Sequence, residues 1–428
     1  MRIPTRLIWI ALLVLSACNL GTTAPSTTET SDPVPQADGE RLVVAWVDAG
    51  NLMVWQTGDT IPRRIASGGV VQPFIAPDGE HIIFTRGANG IQETLWVVDT
   101  DGTAEQQLVG ERPAIYTPGR DVVGDVAFLD TQTVVFNTLT QENVFYVPQN
   151  DLYRVDIITR ELSLISNPGD GGRLTISPDN MLVATAYHGT YSRQDGALRI
   201  VDITQPTNIQ RDNLLFFVGV ATGAEYSFYP TLHWTPDSEA VLVAIPDADL
   251  IYSETSSDAP ATTLWRIPVN APSRRDIIGT IEASFFGLPR WSADTSTMVY
   301  LQRTADSNQV TAFLADTDGS NQVAISGGSI EQITLPQWIA DTNQVYYAQP
   351  SNTEDGTQQY FIASRDAQTT PLSDEGIYRL EFVSATQYVY VTPGNGRLDM
   401  RVGTVNGDTA FIGSLNTVPI FDARLVND

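Results

Sequence analysis

Lysine is missing from this chain altogether: all 24 basic side chains are arginine, set against 50 acidic ones. The formal net charge is −26, and the arginines nowhere form a basic patch. Phosphate backbones are held by clustered cations, so nucleic-acid binding is not expected. Attraction to anionic lipid headgroups fails on the same ground. The excess acid serves solubility and self-repulsion, or offers an acidic face to cations or a basic partner. Cysteine occurs once, at Cys18, which rules out an internal disulfide and a thiolate metal cluster. A chain of 428 residues buries enough surface to be stable by packing alone. Three scattered histidines, His81, His188 and His233, give no zinc signature. There is no Gly-x-Ser-x-Gly elbow, no phosphate-binding loop and no dinucleotide fingerprint. Neither a cofactor nor a metal is expected.

The N-terminus reads as a targeting segment. Arg2 and Arg6 give a positive start, and Leu7 to Leu15 is an apolar stretch too short to span a bilayer as a stable helix. Leu15-Ser16-Ala17-Cys18 resembles the lipobox of bacterial lipoproteins. That resemblance implies a signal peptide over residues 1–17, cleavage before Cys18, and acyl chains on Cys18 that anchor the protein to a membrane. Each buried CH₂ contributes about 0.8 kcal/mol, so several chains at one site hold firmly. Loss of Arg2 and Arg6 with the signal would leave 22 positive against 50 negative charges, a net of −28. Residues 18–39 are rich in Thr, Ser and Pro and carry no aromatic residue, the composition of a disordered tether. Its coil reach is roughly 25 Å, from about 5–6 Å times the square root of its length. Asn19 is not the Asp that resembles an inner-membrane retention signal, so the envelope location stays open between membranes.

From residue 40 to 428 the reading is strands and turns only, with no sustained helical periodicity. One phrase recurs: an apolar strand, an Asp-centred turn, and a second apolar strand. It reads Phe74-Ile75-Ala76-Pro77-Asp78-Gly79, Thr175-Ile176-Ser177-Pro178-Asp179-Asn180, and His233-Trp234-Thr235-Pro236-Asp237-Ser238. Arg290-Trp291-Ser292-Ala293-Asp294 and Gln337-Trp338-Ile339-Ala340-Asp341 continue it. A repeat of a few dozen residues built this way is the signature of a β-propeller, one blade per repeat. Each blade has strands a to d. In the second blade these are Gln72 to Ala76, His81 to Arg86, Thr94 to Asp99 and Glu105 to Val109. Strand b is almost continuously apolar, as in Val241-Leu242-Val243-Ala244, because stacked blades cover both faces. Phe74, Phe128, Ile176, Trp234, Trp291, Trp338 and Phe382 form one column of strand a, assigned to packing between blades. The strands from Leu42 to Ala66 lack a strand a, and Pro419 to Val426 is a lone strand a at the other extremity. The expected fold is therefore an all-β propeller of eight four-stranded blades, closed by a C-terminal strand, with seven blades as the alternative count.

This repeat resembles that of TolB-type β-propellers and of the propeller domains of prolyl oligopeptidases and dipeptidyl peptidases. The resemblance implies that Asp78, Asp130, Asp179, Asp237, Asp294 and Asp341 cap the a–b turns by accepting backbone N–H groups. Unlike in TolB, no α/β module is expected ahead of the blades, and no room for a hydrolase domain is expected after Asp428. Asp99-x-Asp101-Gly102 and Asp316-x-Asp318-Gly319 lack the Gly and Glu of a calcium loop and read as hairpin turns. Glu111 to Gly124, Thr138 to Asp151, Ala221 to Tyr229 and Pro246 to Pro260 read as insertions carrying aromatics. His188, in the b–c loop of its repeat, is the histidine best placed for function.

With no catalytic constellation, the expected function is a membrane-anchored, non-enzymatic scaffold in the cell envelope, monomeric, binding an unidentified protein or peptide partner. The alternative is a carbohydrate-binding or glycoside-processing propeller. It requires paired carboxylates beside aromatic rings in a pocket on the propeller axis.

Overall fold

The Asp-centred turn sets the blade geometry. In the fourth blade the Ser177 hydroxyl donates to Asp179 Oδ1 at 2.6 Å, and Asp179 Oδ1 accepts Met181 N–H at 3.0 Å. Leu182 N–H closes the loop onto Ser177 Oγ at 2.9 Å. Thr235/Asp237 and Ser292/Asp294 repeat this arrangement. Asp78 and Asp130 accept the backbone N–H groups of their own turns. The turn reverses the chain so that strand b pairs antiparallel with strand a.

The computed structural model describes residues 39–110, 112–113, 120–142, 145–165, 173–187, 196–203, 214–217, 229–246, 261–283, 287–303, 309–329, 333–351, 356–366, 368–373 and 375–427. These all belong to the unit spanning 33–428. Cys18, the signal segment, the tether up to residue 38, His188 and most of the two insertions between 221 and 260 lie outside them.

The strands assemble into eight antiparallel sheets, confirming the eight-blade count over seven. Blade I joins residues 40–66 to 421–427. Blades II to VIII follow as 70–109, 112–164, 173–217, 232–282, 290–329, 337–371 and 379–415. Among the described residues seven sheets have four strands, and blade III carries a fifth, the two-residue strand Arg112–Pro113. Blade I is split as expected: Phe421–Asn427 pairs with Glu40–Asp48 from Trp46↔Phe421 to Glu40↔Asn427. Each blade-to-blade interface carries its own buried cluster, including blade VIII on blade I. There Leu42, Val44, Trp46 and Phe421 pack against Val389, Val391, Met400 and Val402. The ring is closed.

Strand b is buried on both faces because each face meets a different blade. Val43 and Ala45 join the cluster with blade II, whereas Leu42, Val44 and Trp46 join that with blade VIII. Gly79, in the a–b turn of blade II, lies under the closing strand. Its φ is +69°, and a Cβ would meet Val426 Cγ2 at 2.8 Å and Val43 Cγ2 at 3.3 Å. Glycine is required there by conformation and by space.

Three sequence expectations need correction. Ile75, not Phe74, fills the packing column in blade II. Ala76 N–H bonds His81 O just as Ser292 N–H bonds Thr297 O, and this sets the register one residue later than read. A one-residue slip changes the face, so Ile75 packs toward blade I and Phe74 toward blade III. Asp341 does not cap its turn. It adopts φ +58°, and the Thr342 hydroxyl accepts Gln344 N–H instead, at 3.1 Å. The span from Thr138 to Asp151 is not a loop. Strands b and c of blade III run on in antiparallel register to Glu142↔Phe145.

Candidate functional site

Strand a meets its counterpart in the next blade between blades I and II, III and IV, IV and V, and VI and VII, which places these strands at the inner side of the ring. Side chains there alternate between the preceding and the following blade. Along Arg379–Phe382, Phe382 packs back onto blade VII in contact with Tyr346. Arg379 and Glu381 face forward to blade I. Along Phe421–Asn427, Phe421 packs back onto blade VIII. Asp422 and Arg424 face blade II, where Ile75 N–H donates to Asp422 Oδ2 at 2.6 Å.

A cavity of about 470 Å³ opens between these strands and those of blades II and III. Charged side chains Arg379, Glu381, Asp422 and Arg424 line it beside the rings of Phe74, Phe128 and Phe421. The Arg379 guanidinium lies 4.8 Å from the centre of the Phe421 ring and 4.0 Å from the Glu381 carboxylate. Both carboxylates line the cavity yet are largely surrounded by protein. Burial, then the Asp422 charge, pushes the Glu381 carboxyl from 4.5 up to about 7, while Arg379 opposes the rise. Burial also raises Asp422, against the hydrogen bond from Ile75 and the charge of Arg424.

A raised folded-state value means that the fold holds this proton more tightly than the unfolded chain does. The Glu381 contribution is therefore fully present below about 4.5 and lost as pH rises through about 7. Asp422 acts with the same sign. Replacing Glu381 by Gln should flatten the fall in melting temperature between pH 5 and 8, by about 1–2 °C because partial exposure screens the effect. Parallel melts of the two proteins across that range check it, and identical slopes contradict it.

His233, His81 and the Asp-Gly turns take part in the scaffold's own contacts. His233 Nε2 donates to Ser292 O at 3.0 Å, and burial lowers its pKa. His81 sits between Asp78 and Asp99, at 3.9 and 3.6 Å. Asp101 and Asp318 accept the Thr103 and Ser320 N–H groups of tight hairpins at 2.8 and 2.9 Å, turns rather than calcium loops. Among the described residues no group of three or more His, Cys, Asp or Glu is placed to hold a metal ion. No helix among them is long and apolar enough to cross a membrane.

Sequence reasoning named none of the four charged cavity residues. The available signal was a pair of opposite charges at alternate positions of strand a, and so on one face of it: Arg379-Leu380-Glu381 and Asp422-Ala423-Arg424.

No protein-family model matches the chain, and no curated protein matches it in sequence. Solved structures do resemble it. A eukaryotic initiation factor superposes with a TM-score of 0.53 at 11% identity, over 89% of this chain and 98% of that one. TolB from Acinetobacter baumannii gives 0.36 at 15% identity, over 78% of this chain and 64% of that one. A prolyl endopeptidase gives 0.46 at 14% identity, over 70% of this chain but 44% of the peptidase. At these identities the likeness is one of fold alone.

Proposed function

We propose that this chain is a non-enzymatic β-propeller, lipid-anchored through Cys18 outside the cytoplasmic membrane, that serves as a monomeric scaffold for a protein or peptide partner. The observation that carries the non-enzymatic part is the use made of Asp422. A glycosidase needs two carboxylates free to act on substrate and water. Of the pair lining the axial cavity, Asp422 is committed to Ile75 N–H and fastens the closing strand to blade II. The location rests on the sequence around Cys18 and on the absence of a basic patch for lipid.

Two measurements test this reading. Replacing Cys18 by Ala should abolish fatty-acid labelling and move the protein from the detergent phase to the aqueous phase; continued membrane retention would remove the anchor. The wild type and the Glu381→Gln variant should show no Glu381-dependent turnover on panels of glycosides and peptides. Turnover lost in the variant would overturn the non-enzymatic reading.

One observation favours carbohydrate binding or processing as the second reading: the axial cavity does place a carboxylate pair beside phenyl rings. Saturable binding of an oligosaccharide there would decide for it.

A further inference from the structure

The charged groups of the axial cavity divide into those the fold uses and those it does not. Asp422 bonds to Ile75 N–H, and Arg379 lies over Phe421. Among the described residues Glu381 meets no donor nearer than Arg379 at 4.0 Å, beyond hydrogen-bonding reach. Arg424 forms no hydrogen bond or ion pair among the described residues and feels Asp422 only through its charge. The fold thus presents one guanidinium fork without a hydrogen-bond partner and one carboxylate held only by a long ion pair to the same cavity, with the half-buried rings of Phe74 and Phe128 on its wall.

We propose that this cavity is a binding site for a small zwitterion, an α-amino acid or dipeptide with an apolar side chain. Arg424 takes its carboxylate, Glu381 its ammonium, and Phe74 and Phe128 its apolar group. A guanidinium matches a carboxylate with two parallel N–H donors, and partial exclusion of water strengthens both contacts. The wall carries two positive and two negative side chains, so a ligand of zero net charge keeps the cavity balanced, and one bearing both charges can also meet Arg424 and Glu381 separately. A simple anion would face Glu381 and Asp422, and a simple cation would face Arg379 and Arg424. A divalent metal would find two carboxylates, one already bonded, flanked by two arginines. The volume of about 470 Å³ falls within the ~300–1,000 Å³ usual for small-ligand sites. The proposal goes beyond the scaffold reading and stands whether or not a protein partner exists.

The test is calorimetric titration of the full chain in detergent with L-leucine, glycyl-L-leucine, 3-methylbutylamine, 4-methylpentanoate and lactose. Leucine or its dipeptide should bind saturably. The amine and the carboxylate, each lacking one charge, should bind about tenfold more weakly or worse. Arg424→Gln and Glu381→Gln should each weaken the zwitterion by a similar factor. No saturable binding by either zwitterion, or binding of the singly charged analogues within about threefold of it, would overturn the proposal. Binding of lactose alone would overturn it in favour of the carbohydrate reading. Should a variant fail to fold, the analogue series on the unaltered chain still decides.

Discussion

Removal of the last ten residues, 419–428, should abolish cooperative unfolding. The deletion takes away the whole strand Phe421–Asn427, and with it the antiparallel pairing along Arg41–Trp46. Phe421 and Val426, both 4% exposed, leave the clusters on either side of blade I. Burying one large apolar side chain contributes about 1.5–3 kcal/mol, and a hydrogen bond to a charged group about as much. The deletion also removes the Asp422 bond to Ile75 and leaves the buried edge of strand b without hydrogen-bond partners. Together these losses match the ~5–15 kcal/mol of a typical fold. The shortened protein should lose its sharp thermal transition and aggregate through the open edge. A shortened form that melts as the intact one does would show that the ring does not depend on its closing strand.

Replacing Trp291 by Ala should be the most damaging single change. Trp291 is 2% exposed, and it lies in the interface of blades V and VI with Leu242, Leu264, Met298 and Tyr300. Truncating a buried Trp to Ala costs about 3–5 kcal/mol, because the lost transfer energy is joined by an unfilled cavity. Its indole N–H has no hydrogen-bond partner among the described residues. Trp234 and Trp338 differ, donating to Thr175 O at 3.2 Å and Arg290 O at 2.9 Å, each on strand a of the preceding blade. Trp291→Phe should therefore cost far less than Trp291→Ala, while Trp338→Phe adds an orphaned carbonyl to its lost volume. Denaturant midpoints of the three variants check the order. A Trp291→Ala midpoint within error of the wild type would contradict the packing role.

The repeats were legible because their signals are local. Ser177 and Asp179 are two positions apart and bond each other, so the sequence alone carries that turn. The c–d hairpins at Asp101-Gly102 and Asp318-Gly319 are equally self-contained, with Gly102 at φ +90° and Gly319 at φ +86°. The split blade was legible for another reason: a missing strand a at one extremity matched a spare one at the other. Errors arose where one residue of register decides the face. Phe74 and Ile75 are both apolar, so composition cannot say which packs toward blade I; the hydrogen bond from Ala76 to His81 does. Asp341 fits the turn pattern by letter, but Ile339 replaces the hydroxyl that Ser177, Thr235 and Ser292 supply, and Thr342 takes over.

An axial pocket could be anticipated from the fold, but the residues that line it could not. Ile75 and Asp422 come together only once the ring closes, and no local pattern marks a pair so far apart in the chain. A pair of opposite charges on one face of strand a was the trace it left. Deciding what such charge does requires knowing which neighbouring blade it faces.

Hydrogen exchange of the native full chain, followed segment by segment, bears on ring closure without altering any residue. Backbone amides of Leu42–Trp46 and Phe421–Val426 should exchange together, as slowly as those of Val241–Ala244 in the interior of blade V, because opening either half of blade I opens the ring. Rapid exchange of 421–426 while the other blades stay protected would mean that the chain's two extremities do not share a sheet.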